Sequence, residues 1–213
     1  MPEQTNSAAG PVSSIWNVPN VLTFARIFFS VALFVVMPFH WYLAALILFC
    51  VGALTDYFDG WWARKYHQVT KLGRIVDPFA DKLLICGTLI YLIAEPDLAI
   101  PLPGCGINIG LAPWMVVVIV SRELLVTLLR SVIESGGGDF SAKWAGKVKM
   151  ACQCFAVIAA LLFLEATRRE ISAVIPFLKW TMVALLWVTV YLTVDSCVKY
   201  IAAAIRAAKT TND

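Results

Sequence analysis

Three features of the sequence predict an all-α polytopic membrane protein with six transmembrane helices and a short N-terminal interfacial segment. Hydrophobic residues fill 60% of the 213 positions and charged residues 15%, whereas a soluble domain is roughly 45–50% apolar. Mean hydropathy is +0.78. Nearly uncharged runs recur that are long enough to cross a hydrocarbon core about 30 Å thick, at about 1.5 Å per helical residue. The runs are continuously apolar rather than alternating, which favours helices over the strands of a barrel.

Taken in order, residues 1–19 form an N-terminal cytoplasmic or interfacial segment with neither the basic nor the apolar region of a cleavable signal. Within it Ile15, Trp16 and Val18 lie among polar neighbours between Ser13 and Asn20. That pattern suits a short amphipathic piece at the interface, with a disordered tail as the alternative. Spans are predicted at 20–38, 42–64, 75–94, 112–133, 145–166 and 173–203, inside a transmembrane domain of 20–205 followed by a cytoplasmic tail, 206–213. An even number of crossings puts both termini on one side.

Basic residues set the orientation. The connection 64–74 holds Arg64, Lys65, Lys71 and Arg74, and 134–149 holds Lys143, Lys147 and Lys149, while 38–41 and 95–111 hold none. The basic side, with both termini, is therefore expected to be cytoplasmic in a bacterial-type inner membrane. Arg168 and Arg169 dissent, but Glu165 and Glu170 flank them. Five of the six cysteines, Cys50, Cys86, Cys152, Cys154 and Cys197, fall inside apolar runs and read as packing residues rather than a disulfide framework. A net charge of +3 suits anionic lipid headgroups and gives no reason to expect nucleic acid.

Four aspartates interrupt this apolar pattern. Asp56 and Asp59 lie at the end of the second predicted helix, and Asp77 and Asp81 at the start of the third. A carboxylate in a bilayer costs at least about 2.5–3.5 kcal/mol, so four of them need compensation. Residues three apart lie about 60° apart around a helix and residues four apart about 40°, so each pair shares a face. A short basic connection makes the two helices antiparallel neighbours, and their acidic faces can converge just inside the cytoplasmic interface.

Oxygen ligands without nearby His or Cys favour Mg²⁺ or Mn²⁺ over zinc, and the charge of four carboxylates leaves one or two ions open. All four aspartates are candidate metal ligands. The competing reading pairs them with Arg64, Lys65, Arg74 and Lys82 as interfacial salt bridges, which is less economical for two pairs at helical spacing. Gly60 and Ala63 offer little bulk to a planar base or diphosphate approaching the helix, although close helix packing uses such residues too.

The arrangement D-x-x-D-G-x-x-A-R-x(8)-G-x-x-x-D-x-x-x-D is complete at Asp56, Asp59, Gly60, Ala63, Arg64, Gly73, Asp77 and Asp81. It resembles the signature of the CDP-alcohol phosphotransferases. The resemblance implies that Asp56, Asp59 and Asp77 hold the metal and that Asp81 is the catalytic base. It also implies that Gly60, Ala63, Arg64 and Gly73, next to Asp56 and Asp59, seat the CDP group. The implied reaction is attack of an acceptor hydroxyl on a CDP-linked lipid such as CDP-diacylglycerol, with release of CMP, by a homodimer among membrane lipids.

Over most of 16–205 the chain is also similar to the branch of that family whose acceptor is sn-glycerol 3-phosphate. This rests on Asn17 to Thr23 with Arg26, on Ser121 to Leu124, and on Lys143 to Lys149. An anionic acceptor needs cations beside the metal, and Arg122, Lys143 and Lys147 are the candidates, joined by Thr23 and Arg26 on one face of the first span. Headgroup anchoring is the alternative for the lysines, and capping or snorkelling for Thr23 and Arg26. Asp195 and Lys199, four apart, are expected to form a structural ion pair.

Other acceptors, namely inositol phosphate, serine or phosphatidylglycerol, fit the same signature. Rival classes are an intramembrane Mg²⁺-dependent prenyltransferase, whose aspartate motifs are normally well separated along a longer chain, and a divalent-cation transporter, which explains neither the glycines nor Ala63-Arg64.

Overall fold

The computed structural model describes the backbone of residues 18–66, 71–104, 106–135 and 143–210, and the side chains of these except at 18–20, 56–66, 71–75, 77–78, 129–135, 143–147 and 200–210. Among the described residues there are six α-helices: α1 Val18–Val36, α2 Tyr42–Tyr66, α3 Lys71–Leu92, α4 Pro113–Ser135, α5 Lys143–Arg168 and α6 Ile175–Thr210. Among the described residues the extended structure is confined to one isolated antiparallel bridge, Pro101 to Asn108. The all-helical expectation holds.

Among the described residues three helices are long and apolar enough to cross a membrane, over Val21–Phe39, Val148–Arg168 and Ile175–Lys199, and a shorter apolar stretch, Tyr42–Thr55, opens α2. α3 carries Asp77, Asp81 and Lys82 within its length, and α4 carries Arg122 and Glu123. Helix ends depart from the predicted spans where charge begins. Val18–Asn20 are the first turn of α1, and residues 13–17 lie outside the described residues. Lys71 and Arg74 belong to α3, Arg64 and Lys65 to α2, and Lys143, Lys147 and Lys149 to α5, rather than to connections. α6 continues to Thr210, into what the sequence assigns to a tail. Lys and Arg are good helix formers, so the backbone ladder outlasts the apolar run that marks the membrane.

The helix faces follow from burial. On α1, Thr23, Arg26, Ser30, Leu33 and Met37 are buried, while Val21, Phe24, Phe28, Val31 and Val35 are exposed. Spacings of three and four keep the first set on one stripe facing the bundle, and the second forms an apolar outer face suited to lipid. α1 packs on α2 and α3, α5 on α2, α3 and α6, and α4 on α3 and α6. Gly87 makes the α1–α3 approach possible: a Cβ there would lie 3.0 Å from Phe34 Cε1 and nearer still to Cζ. Gly52 plays the same part between α2 and α3, where a Cβ would be 3.0 Å from Leu84 Cδ2.

The connections α1–α2, α3–α4 and α5–α6 gather at one end. Tyr42 donates to Glu95 Oε2 at 2.9 Å, and Leu43 N donates to Glu165 Oε2 at 3.2 Å. Glu165 also pairs with Arg168, at 3.6 Å, and with Arg169, so those two dissenting arginines share one carboxylate. The α3–α4 loop is folded on Asn108, whose Oδ1 accepts from Ile100 N at 2.8 Å and Gly110 N at 2.9 Å. The described cysteines are free, in keeping with a packing role.

Candidate active site

The opposite end of the bundle carries the aspartate motif. Asp56 and Asp59 lie three apart in the unbroken helix α2, and Asp77 and Asp81 four apart in α3, so the spacings expected for paired carboxylates exist as helical spacings. Gly60, Ala63 and Arg64 occupy the last turns of α2 and Gly73 the first turn of α3. The side chains of Asp56, Asp59, Ala63, Arg64 and Asp77 lie outside the described residues. Among the described residues no group of three His, Cys, Asp or Glu is placed to hold a metal, and of the four aspartates only Asp81 belongs to that set. Asp81 is half-buried, about 15 Å along α3 from its start.

Side chains of α4, α5 and α6 meet in a buried charged cluster. Arg122 Nη1 donates to Glu123 Oε1 at 3.2 Å, and Lys149 Nζ on α5 pairs with that same oxygen. Arg122 Nη2 donates to Ser196 Oγ on α6. Lys149 is 2% exposed and Arg122 7%. Lys82 on α3 acts electrostatically on Glu123, and Cys86 lies within reach of the charges of Asp81, Lys82, Glu123 and Lys149. The cluster therefore borders the helix that carries Asp81. Arg122, Lys149 and Lys82 thus stand against the two carboxylates of Glu123 and Asp81 in this region.

The predicted acceptor residues divide. Arg122 is in the cluster and paired with Glu123. Thr23 and Arg26 are buried at 1% and 0% exposure in the body of α1, beyond its first turn. Ser30 Oγ donates to the Arg26 carbonyl at 2.8 Å, one turn on. Lys143 and Lys147 stand in the first turns of α5, and their side chains lie outside the described residues. Asp195 and Lys199 form the expected ion pair at 2.6 Å.

Sequence reasoning missed Lys149, Ser196 and Gln153. In the sequence Lys149 counts only as part of a basic connection and of the stretch 143–149, yet it falls inside the predicted fifth span, where a charge signals an interior role. Gln153, four residues on, is 3% exposed, and its Nε2 has no hydrogen-bond partner among the described residues.

The model of one family, CDP-alcohol phosphatidyltransferase, matches residues 16–204. The chain belongs to that family. It is 36% identical to the CDP-diacylglycerol–glycerol-3-phosphate 3-phosphatidyltransferase of Bacillus subtilis (strain 168), over 93% of this chain and all of the relative. Enzymes of the same name from Salmonella choleraesuis (strain SC-B67) and Escherichia coli (strain K12) are 31% and 32% identical, each over 89% of this chain and 95% of their own. The family match takes in all six helices up to residue 204, the aspartate motif and the α4–α5–α6 cluster alike.

Proposed function

We propose that this chain transfers the phosphatidyl group of CDP-diacylglycerol to sn-glycerol 3-phosphate, giving phosphatidylglycerophosphate and CMP in phospholipid biosynthesis. The relatives that carry this activity in their names align over nearly their whole length. The observation that favours an anionic acceptor is the positive cluster of Arg122, Lys149 and Lys82 around Glu123, beside the helix of Asp81. A phosphate-bearing alcohol is stabilised there, whereas a zwitterion such as serine gains less.

The proposed divalent site, for one or two Mg²⁺ or Mn²⁺ ions, draws on Asp56, Asp59 and Asp77, with Asp81 at its edge. Carboxylates at spacings of three and four on two consecutive helices make an oxygen-only donor set that fits a hard cation. When bound, the ion supplies positive charge against the diphosphate oxygens. Gly60 and Ala63 give the cytidine and diphosphate room at the backbone of α2, Arg64 offers a forked donor to phosphate oxygen, and Gly73 opens the start of α3. A carboxylate oxygen of Asp81 takes the proton of the acceptor hydroxyl. That hydroxyl oxygen bonds to the lipid-bearing phosphorus, the phosphorus–oxygen bond to CMP breaks, and CMP departs with the bonding pair.

In this reading all six helices cross the membrane, and the aspartates and both ends of the chain face the cytoplasm. Membrane lipids and a second copy of the chain complete the assembly. The test is CMP release by purified protein from CDP-diacylglycerol and Mg²⁺ with glycerol 3-phosphate, serine, inositol phosphate or phosphatidylglycerol offered in turn. Release is expected with glycerol 3-phosphate; release with serine alone would overturn the acceptor assignment.

A further inference from the structure

A carboxylate at the centre of an anion-binding cluster needs an explanation, since Glu123 repels the acceptor's phosphate. Its contacts supply one. Glu123 Oε1 accepts both from Arg122 Nη1, at 3.2 Å, and from Lys149 Nζ, so one oxygen ties a cation of α4 to a cation of α5. Adjacent residues on a helix point about 100° apart, so Arg122 and Glu123 meet only because both side chains bend to a common point. Lys149 is buried and the two cations are alike in sign; without the carboxylate between them they would repel in a weakly screened interior. Ser196 holds the far edge of the guanidinium from α6. Gln153, one turn beyond Lys149 on α5, adds a buried amide nitrogen with no hydrogen-bond partner among the described residues.

We propose that Glu123 is a positioning residue for the acceptor: it sets Arg122 and Lys149 side by side across α4 and α5, so that the pair forms a ready-made receptor for the acceptor's phosphate. The proposal rests on the glycerol 3-phosphate reading above. Its signature is selective, because a misplaced receptor weakens the acceptor and leaves the CDP-lipid untouched.

The test is steady-state CMP release by the full-length protein in detergent, with KM measured separately for glycerol 3-phosphate and CDP-diacylglycerol, in the parent, Glu123→Gln and Glu123→Asp. Glu123→Gln is expected to raise the acceptor KM roughly tenfold to a hundredfold, as for displaced positioning groups generally, with the CDP-diacylglycerol KM within about twofold. Glu123→Asp, which keeps the charge but draws it back by one methylene, is expected to fall between. An unchanged acceptor KM in Glu123→Gln overturns the proposal, as does an equal rise in both KM values. If Glu123→Gln does not fold, an acceptor KM in Glu123→Asp equal to the parent's overturns it instead. Absence of CMP release by the parent with glycerol 3-phosphate rejects the acceptor reading, and the proposal with it; release by the parent with the same acceptor KM in Glu123→Gln rejects the positioning role alone.

Discussion

Replacing Lys149 by methionine isolates the energy stored in the buried cluster. Methionine nearly fills the space of the lysine stem, so the change removes the ammonium and leaves the packing of a side chain only 2% exposed. Breaking a buried ion pair by deleting one partner costs about 3–5 kcal/mol, because the survivor is left uncompensated. Here the survivor, Glu123, is 20% exposed and keeps Arg122 at 3.2 Å. Both facts reduce the penalty, and about 2–3 kcal/mol is expected for Lys149→Met. Glu123→Gln strands the more deeply buried partner and should cost more, about 3–4 kcal/mol. The double variant removes both charges, so its cost should fall short of the two single costs together by about 1.5–3 kcal/mol. Reversible unfolding of the four proteins in mixed detergent micelles measures the cycle. A coupling below about 0.5 kcal/mol, the range of independent sites, would refute the view that Glu123 and Lys149 hold each other in the interior.

Three further outcomes are expected. Asp81→Asn should lower CMP release by about 10²–10⁴-fold, the usual contribution of a positioned base, with CDP-diacylglycerol binding retained; turnover equal to the parent's would remove Asp81 from that role. Chelation with EDTA should abolish CMP release and Mg²⁺ or Mn²⁺ restore it, and Asp56→Asn should need more Mg²⁺ for half-maximal rate; an unaltered Mg²⁺ requirement would contradict its place among the ligands. Gly110→Ala should lower the melting temperature while both KM values stay at the parent's, because a Cβ there would sit 2.9 Å from Ile100 N and closer to the Leu98 carbonyl, which accepts from Leu111 N. Overpacking of that kind costs about 1–3 kcal/mol, and an undiminished melting temperature would show that the loop yields freely.

Much of the bundle was legible because a helix that crosses lipid must be apolar over its whole length. α1, α5 and α6 lie where the apolar runs place them. The helix ends were not legible, since hydropathy reports where lipid stops and the backbone ladder runs on through Arg64 in α2, Lys71 in α3 and Lys143 in α5. The aspartate motif was readable because its chemistry fixes both residue type and helical spacing. The α4–α5–α6 cluster was only half readable: Arg122 beside Glu123 could be seen in adjacent positions, but the pairing of Glu123 with Lys149 and of Arg122 with Ser196 joins residues far apart in the chain. The inward stripe of α1 shows the same limit. Arg26 near a span end suits snorkelling as well as burial until α2 and α3 are in place around it.

The length of α6 has a consequence beyond packing. Its 36 residues make a rod about 54 Å long, nearly twice the roughly 30 Å of hydrocarbon it has to cross. Even leaning by about 40°, the steep end of what such helices adopt, it would still rise about 41 Å and overshoot the oily layer. Its final turns, which include Arg206 and Lys209, therefore stand among the headgroups or in water as a stiff mast, and a label or fused domain added after Thr210 would be held away from the bilayer at a defined height.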